Sequence, residues 1–166
     1  MKVMPSGLPS PAVLLAGSDL DCDLAADPLG YPGPPVPWSC WCADGHVERV
    51  GASPEAQPGS AAADFDARLR RAGAAPLSAR HLVVAVGSNA CAGVMARKLG
   101  PAPIPFGIVQ VRGVRAGYSA HVSVRGYVPA APFADPDADF PAVAAWLDDT
   151  QLADLDRTEP NYHRLQ

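Results

Sequence analysis

Two short groups of residues in this 166-residue chain have the types and spacing to do chemistry. The first is Gly87-Ser88-Asn89, which breaks the apolar run Leu82-Val83-Val84-Ala85-Val86 and is followed at once by a helical pattern from Ala90 to Leu99. A strand, a glycine turn and a helix start present backbone N–H groups at the positive end of a helix, a geometry that favours a carboxylate, a phosphate or an oxyanion. Asn89 is the expected cap of that helix, and Gly87 lets the backbone approach a ligand closely. The same geometry also describes an ordinary strand-to-helix turn that binds nothing. The second group surrounds Glu159, in Leu155-Asp156-Arg157-Thr158-Glu159-Pro160-Asn161-Tyr162. A carboxylate just before a proline break, flanked by Leu155 and Tyr162, can project into a semi-apolar pocket, a setting that suits proton shuttling. An exposed surface glutamate is the bland alternative.

Other candidates are weaker. Cys40-Trp41-Cys42 with His46 lacks the two-residue spacer and fourth ligand of structural zinc, so no metal site is assigned. Cys91 falls near a helix start, where a thiolate is stabilised, and His121, on an expected core strand, is its only candidate base. A small buried thiol beside a core histidine explains both without chemistry. Ser88 lacks the G-x-S-x-G spacing of a hydrolase elbow, and the turn lacks the second glycine and Lys-Ser/Thr of a phosphate loop. Asp148 and Asp149 are best explained as helix capping.

The elements that must position these residues follow from the hydrophobic pattern. Residues 1–60 form a loosely patterned, Pro- and Gly-rich section. Within it, Tyr31-Pro32-Gly33-Pro34-Pro35-Val36-Pro37-Trp38 cannot be helical. A hairpin is expected there, from about Trp38 to Trp41, through a turn at Asp44-Gly45, to His46–Val50. A helix over Ala61–Gly73 has Phe65 and Leu69 at i, i+4. Residues 61–166 then read as one α+β domain. Strands are expected over Phe106–Arg115 and Gly117–Val124, with a turn at Arg125-Gly126. Residues 130–139, with Pro132, Pro136 and several aspartates, read as a loop, and Ala142–Leu147 as a strand. Asp148 with Gln151 three residues on matches a capping box for a short helix ending by Glu159-Pro160.

Composition narrows the function classes. Hydrophobic residues make up 48% of the chain, enough for a core, while nineteen prolines and fifteen glycines predict long irregular stretches. A net charge of −4 leaves no electrostatic footprint for nucleic acid or an anionic membrane. Of the 13 basic residues only Lys2 and Lys98 are lysines, which reads as compositional bias. Arg68, Arg70 and Arg71 read as a solvated helix face. No segment approaches the roughly 20 apolar residues of a membrane span. The run Ala12–Ala16 is too short for a secretory signal, and four cysteines are too few for a disulfide scaffold. A reduced, cytoplasmic protein is the simplest expectation.

Val86-Gly87-Ser88-Asn89 and, seventy residues later, a strand, a short capped helix and Leu155-Asp156-Arg157-Thr158-Glu159 with Tyr162 and Arg164 together resemble the γ-glutamylcyclotransferase-like family. Tyr118–Pro129 is similar to that family's intervening segment. The resemblance covers about residues 82–166. Val86 stands where the family has tyrosine, and Pro160 where it has glycine. The resemblance implies a small mixed β-barrel with flanking helices and conversion of a small-molecule γ-glutamyl amine or peptide to 5-oxoproline and free amine, without cofactor. It implies Glu159 as general base, and Val86, Gly87, Ser88, Asn89 and Tyr162 as substrate-binding residues. It also implies further barrel-closing strands, which either follow Gln166, so that the chain reads as a piece of a longer product, or come from residues 1–60. The alternatives are a non-catalytic relative that binds a small carboxylate or a protein partner, and an interaction module whose residues 31–37 dock an aromatic groove.

Overall fold

The structure is a computed structural model that describes residues 22–51 and 60–159. Alternating and continuous apolar runs build five strands: β1 (Cys40–Ala43), β2 (His46–Arg49), β3 (His81–Ala85), β4 (Ile104–Tyr118) and β5 (Ala130–Leu147). They form one sheet in the order β2-β1-β4-β5-β3, with every pairing antiparallel. Three helices accompany it: α1 (Ser60–Arg71), α2 (Ala92–Leu99) and α3 (Asp149–Thr158). The α+β class holds, whereas the mixed barrel does not describe these residues. Closing a barrel requires the two edge strands to meet. Here β2 and β3 stand at opposite edges, and β2 carries His46, Glu48 and Arg49 exposed, a charged edge that discourages further pairing. The hairpin expected in the N-terminal section is present as β1–β2 and joins the same sheet through β1 pairing with β4.

The proline-rich residues 130–139 belong to β5, not to a loop. β3 pairs only with Val143–Leu147 of β5, so the first part of β5 is an edge, where proline's missing N–H costs no ladder bond. Pro136 also falls at an irregularity, since the register runs from Arg112↔Asp139 to Val114↔Ala134. Gly113 occupies the left-handed region at this bulge, with φ 76°. The strand expected over Gly117–Val124 stops at Tyr118. Residues 119–129 form a loop in which Ser123 and Tyr127 close a turn through Tyr127 O and Ser123 N at 2.8 Å. His121 is therefore exposed on a loop rather than placed on a core strand.

Alternate residues of β5 serve two faces. Val143, Ala145 and Leu147 pack with Ile104 and Phe106 of β4 against Met95 and Leu99 of α2 and Leu152 and Leu155 of α3. Each fully buried side chain of this size contributes about 1.5–3 kcal/mol. Trp146 points the other way and meets Phe65 of α1, ring centroids 6.0 Å apart. Gly107 lies under that indole: a Cβ there would stand 2.8 Å from the Trp146 ring. Arg68 ties α1 to β2 with two bonds to Glu48, of 2.7 and 3.0 Å, so at least this arginine is a structural contact.

α3 is fixed at its start. Asp148 Oδ1 accepts from Gln151 N at 2.9 Å, and Gln151 Oε1 accepts from Asp148 N at 3.1 Å, the reciprocal box the sequence predicts. Gln151 Oε1 also accepts from Arg80 Nη1 at 3.0 Å. The Arg80 side chain is fully buried and donates to the carbonyls of Ala75, Pro103 and Trp146, which joins the β3 entrance, the β4 entrance and the end of β5 to α3. Its Nη2 makes no hydrogen bond and has Asp148 Oδ2 at 3.6 Å as its ionic neighbour. Burial pushes the Arg80 pKa down, and Asp148 opposes that shift. Among the described residues no helix is long and apolar enough to cross a membrane.

Candidate functional site

The turn after β3 and the end of α3 come together. Asn89 Nδ2 donates to Glu159 Oε1 at 3.1 Å. The turn itself is a 3-10 segment over Ser88–Ala90, closed by Ala90 N–Gly87 O and Cys91 N–Ser88 O bonds of 3.0 Å each. This extra turn moves the start of α2 to Ala92 and makes Cys91 its N-cap, with no side-chain cap bond. Asn89 is therefore not the helix cap expected of it. Its amide is spent on the side chains of Glu159 and Lys98.

Lys98 completes the constellation. Its Nζ lies 2.5 Å from Glu159 Oε1 and 2.8 Å from Asn89 Oδ1. The Lys98 and Glu159 side chains are 19% and 25% exposed, so the pair is largely removed from water and still open at one side. Lys98 lies in the last turn of α2, and Glu159 is the residue that ends α3. The packing of these two helices through Met95, Leu99, Leu152 and Leu155 thus sets the distance between the two charges.

A fourth group comes from the proline-rich stretch. The Tyr31 hydroxyl oxygen accepts from Ala130 N at 2.7 Å. Burial raises the Tyr31 pKa; the Ala130 bond opposes the shift, and the nearby Tyr127 and Glu159 add to it. The Tyr31 ring stacks on Tyr127 with centroids 4.2 Å apart and planes 9° from parallel. Gly87 is needed for this arrangement. A Cβ there would lie 2.5 Å from the Tyr31 oxygen and 3.1 Å from the Ala130 Cβ. Residues 31–37 are not a free docking ligand, because Val36 is buried and its N–H donates to Ala90 O at 3.0 Å.

The other sequence candidates are distributed as follows. Val86 is half-buried just beyond β3 and offers no polar group, while Gly87, Ser88 and Asn89 are all at the site. Tyr162, Pro160 and Arg164 lie outside the described residues. Cys91 is buried, and His121, being on the exposed loop, is not its base. Cys40 and Cys42 face the core, where burial pushes their thiols up to about 12 and about 11. Among the described residues no group of three or more His, Cys, Asp or Glu is arranged to hold a metal ion.

Sequence reasoning missed Lys98 and Tyr31 as site residues. Their partners lie 61 and 99 positions away, beyond any local pattern. One signal was present for Lys98: a lysine in a chain whose other cations are almost all arginine invites the question of what an ammonium does there. Comparison with protein-family models and with curated proteins found no match, and comparison with solved structures found none.

Proposed function

We propose that this chain carries a γ-glutamylcyclotransferase-like site, which releases 5-oxoproline and a free amine from a γ-glutamyl amine or peptide. The observation that carries the reading is the Asn89–Glu159 contact, which joins a Gly-Ser-Asn turn to a carboxylate seventy residues away. The resemblance pairs the same two pieces, and an open antiparallel sheet with helices against it is compatible with part of the barrel that the resemblance implies.

In this reading Glu159 accepts a proton from the substrate α-ammonium. The freed amine attacks the γ-carbonyl carbon, a C–N bond closes the five-membered lactam, and the γ-amide C–N bond breaks. The proton held on Glu159 passes to the departing amine, and the regenerated carboxylate carries the attacking nitrogen's second proton to that amine, which leaves as an ammonium. Asn89 orients Glu159, and the Tyr31 hydroxyl, which stays protonated, donates a hydrogen bond to the carbonyl oxygen as charge develops. Holding the amine against the carbonyl supplies the orientation term. No cofactor enters this reaction.

A non-catalytic relative that binds a small carboxylate is the second reading. It is favoured by the Lys98 ammonium, which already occupies Glu159 and offers an anion a partner. The test is incubation of the full chain with γ-glutamyl amines and γ-glutamyl peptides, measuring 5-oxoproline and free amine together. Equimolar appearance of both supports the enzyme. Saturable binding with neither product supports the second reading.

A further inference from the structure

We infer that Lys98 and Glu159 form a clamp for the zwitterionic head of an α-amino acid, with Lys98 taking the α-carboxylate and Glu159 the α-ammonium. That the head belongs to a glutamate derivative, and with it the choice of probes, rests on the γ-glutamyl reading.

Two opposite charges are in contact at 2.5 Å, with about four-fifths of the Lys98 side chain and three-quarters of the Glu159 side chain covered. Separating a covered pair for a ligand of one charge leaves the other charge uncompensated, which is strongly unfavourable. A zwitterion avoids this. One internal ion pair becomes two ion pairs to the ligand, and the site stays neutral throughout.

The hydrogen-bond inventory fits that exchange. Lys98 has three N–H groups and uses two, on Asn89 Oδ1 and Glu159 Oε1. Only Oε1 of Glu159 is engaged among the described residues, by Lys98 and Asn89, which leaves Oε2 to accept. Asn89 touches both charges at once, its amide nitrogen on the carboxylate and its amide oxygen on the ammonium. It can keep both heads in place while a ligand enters between them.

The backbone of the turn is the alternative anion partner, and part of it is spent on the turn itself. The Ala90 and Cys91 N–H groups close the turn on Gly87 O and Ser88 O. That leaves Lys98 as the cation for a carboxylate. Lysine suits this task as a compact point charge on a flexible stem, able to move from Glu159 to the ligand as the site opens.

The experiment is calorimetric titration of the full chain with three probes: L-glutamate, its α-methyl ester and N-acetyl-L-glutamate. L-Glutamate is expected to bind, and each blocked probe to bind about 30-fold or more weakly, the loss typical of removing one partner of a desolvated charge pair. Lys98→Met should erase the preference for L-glutamate over its ester, and Lys98→Arg should keep it in part. Equal affinity for L-glutamate and the ester, or no binding of L-glutamate, overturns the clamp. The same probes act on the unaltered protein, so a folding defect in Lys98→Met does not shield the inference. L-Glutamate binding without any 5-oxoproline release refutes the cyclisation and leaves the clamp standing. Release from an α-esterified γ-glutamyl amine as fast as from the free acid overturns the clamp and leaves the cyclisation standing.

Discussion

Asn89 donates to Glu159 over 3.1 Å, and so the turn that ends β3 is bonded to the residue that ends α3. The contact depends on how α3 is held at its far end. Arg80 and the Asp148–Gln151 box fix its first turn, and Leu152 and Leu155 press it onto the sheet and α2. A carboxylate at the C-terminus of a helix has no help from the helix dipole, which favours cations there. Lys98 and Asn89 supply the compensation.

Gly87 and Tyr31 should behave as a coupled pair. Gly87→Ala places a Cβ 2.5 Å from the Tyr31 oxygen and is expected to cost about 1–3 kcal/mol of stability. Tyr31→Phe alone should cost about 1 kcal/mol for the hydrogen bond it loses. In the double variant the clash with the oxygen is gone, so the total should fall short of the sum by roughly 0.5 kcal/mol or more. Urea denaturation of the four proteins measures this, and strict additivity would remove the steric account of Gly87.

Arg80→Met tests the anchor of α3. The substitution keeps the bulk and deletes bonds to three carbonyls and to Gln151, leaving buried acceptors without their donor. The expected loss is about 3 kcal/mol in chemical denaturation. A change within about 0.5 kcal/mol, the range of an ordinary surface substitution, would contradict the anchoring role.

The site and the fold were legible to different depths. Gly87-Ser88-Asn89, Glu159 and the Asp148–Gln151 box were readable because each is local: a turn, a helix end and an i, i+3 cap. The β1–β2 hairpin was readable from Asp44-Gly45 between Trp38–Trp41 and His46–Val50, and both turn residues do adopt positive φ. β5 was misread because Pro132 and Pro136 look like breakers, and nothing in the sequence tells that this stretch is an edge with a bulge. His121 was misread because the pattern did not reveal where the long β4–β5 hairpin turns. Lys98 and Tyr31 were overlooked because what gives them meaning is a partner far along the chain.

The core cysteines give the protein a definite response to alkali. Burial raises the folded-state pKa of Cys40 to about 12 and of Cys42 to about 11. The folded state then binds more protons than the unfolded state once the pH exceeds the ordinary thiol value, so stability falls as pH rises. The contribution is fully present below about pH 9 and is lost progressively towards pH 11–12. Denaturation midpoints at pH 8 and 10.5 check this, with a lower midpoint expected at pH 10.5. Replacing both cysteines with alanine should flatten the decline, and an equally steep decline in that variant would contradict the assignment.

Glu159→Gln tests the central claim most directly. The substitution keeps the shape of the side chain and an oxygen that can accept from Asn89, and it removes the group that takes the proton. Measured as 5-oxoproline release from a γ-glutamyl amine beside the unaltered chain, with thermal unfolding recorded on both, the account predicts a folded variant whose release is lost. Undiminished release by folded Glu159→Gln would contradict it.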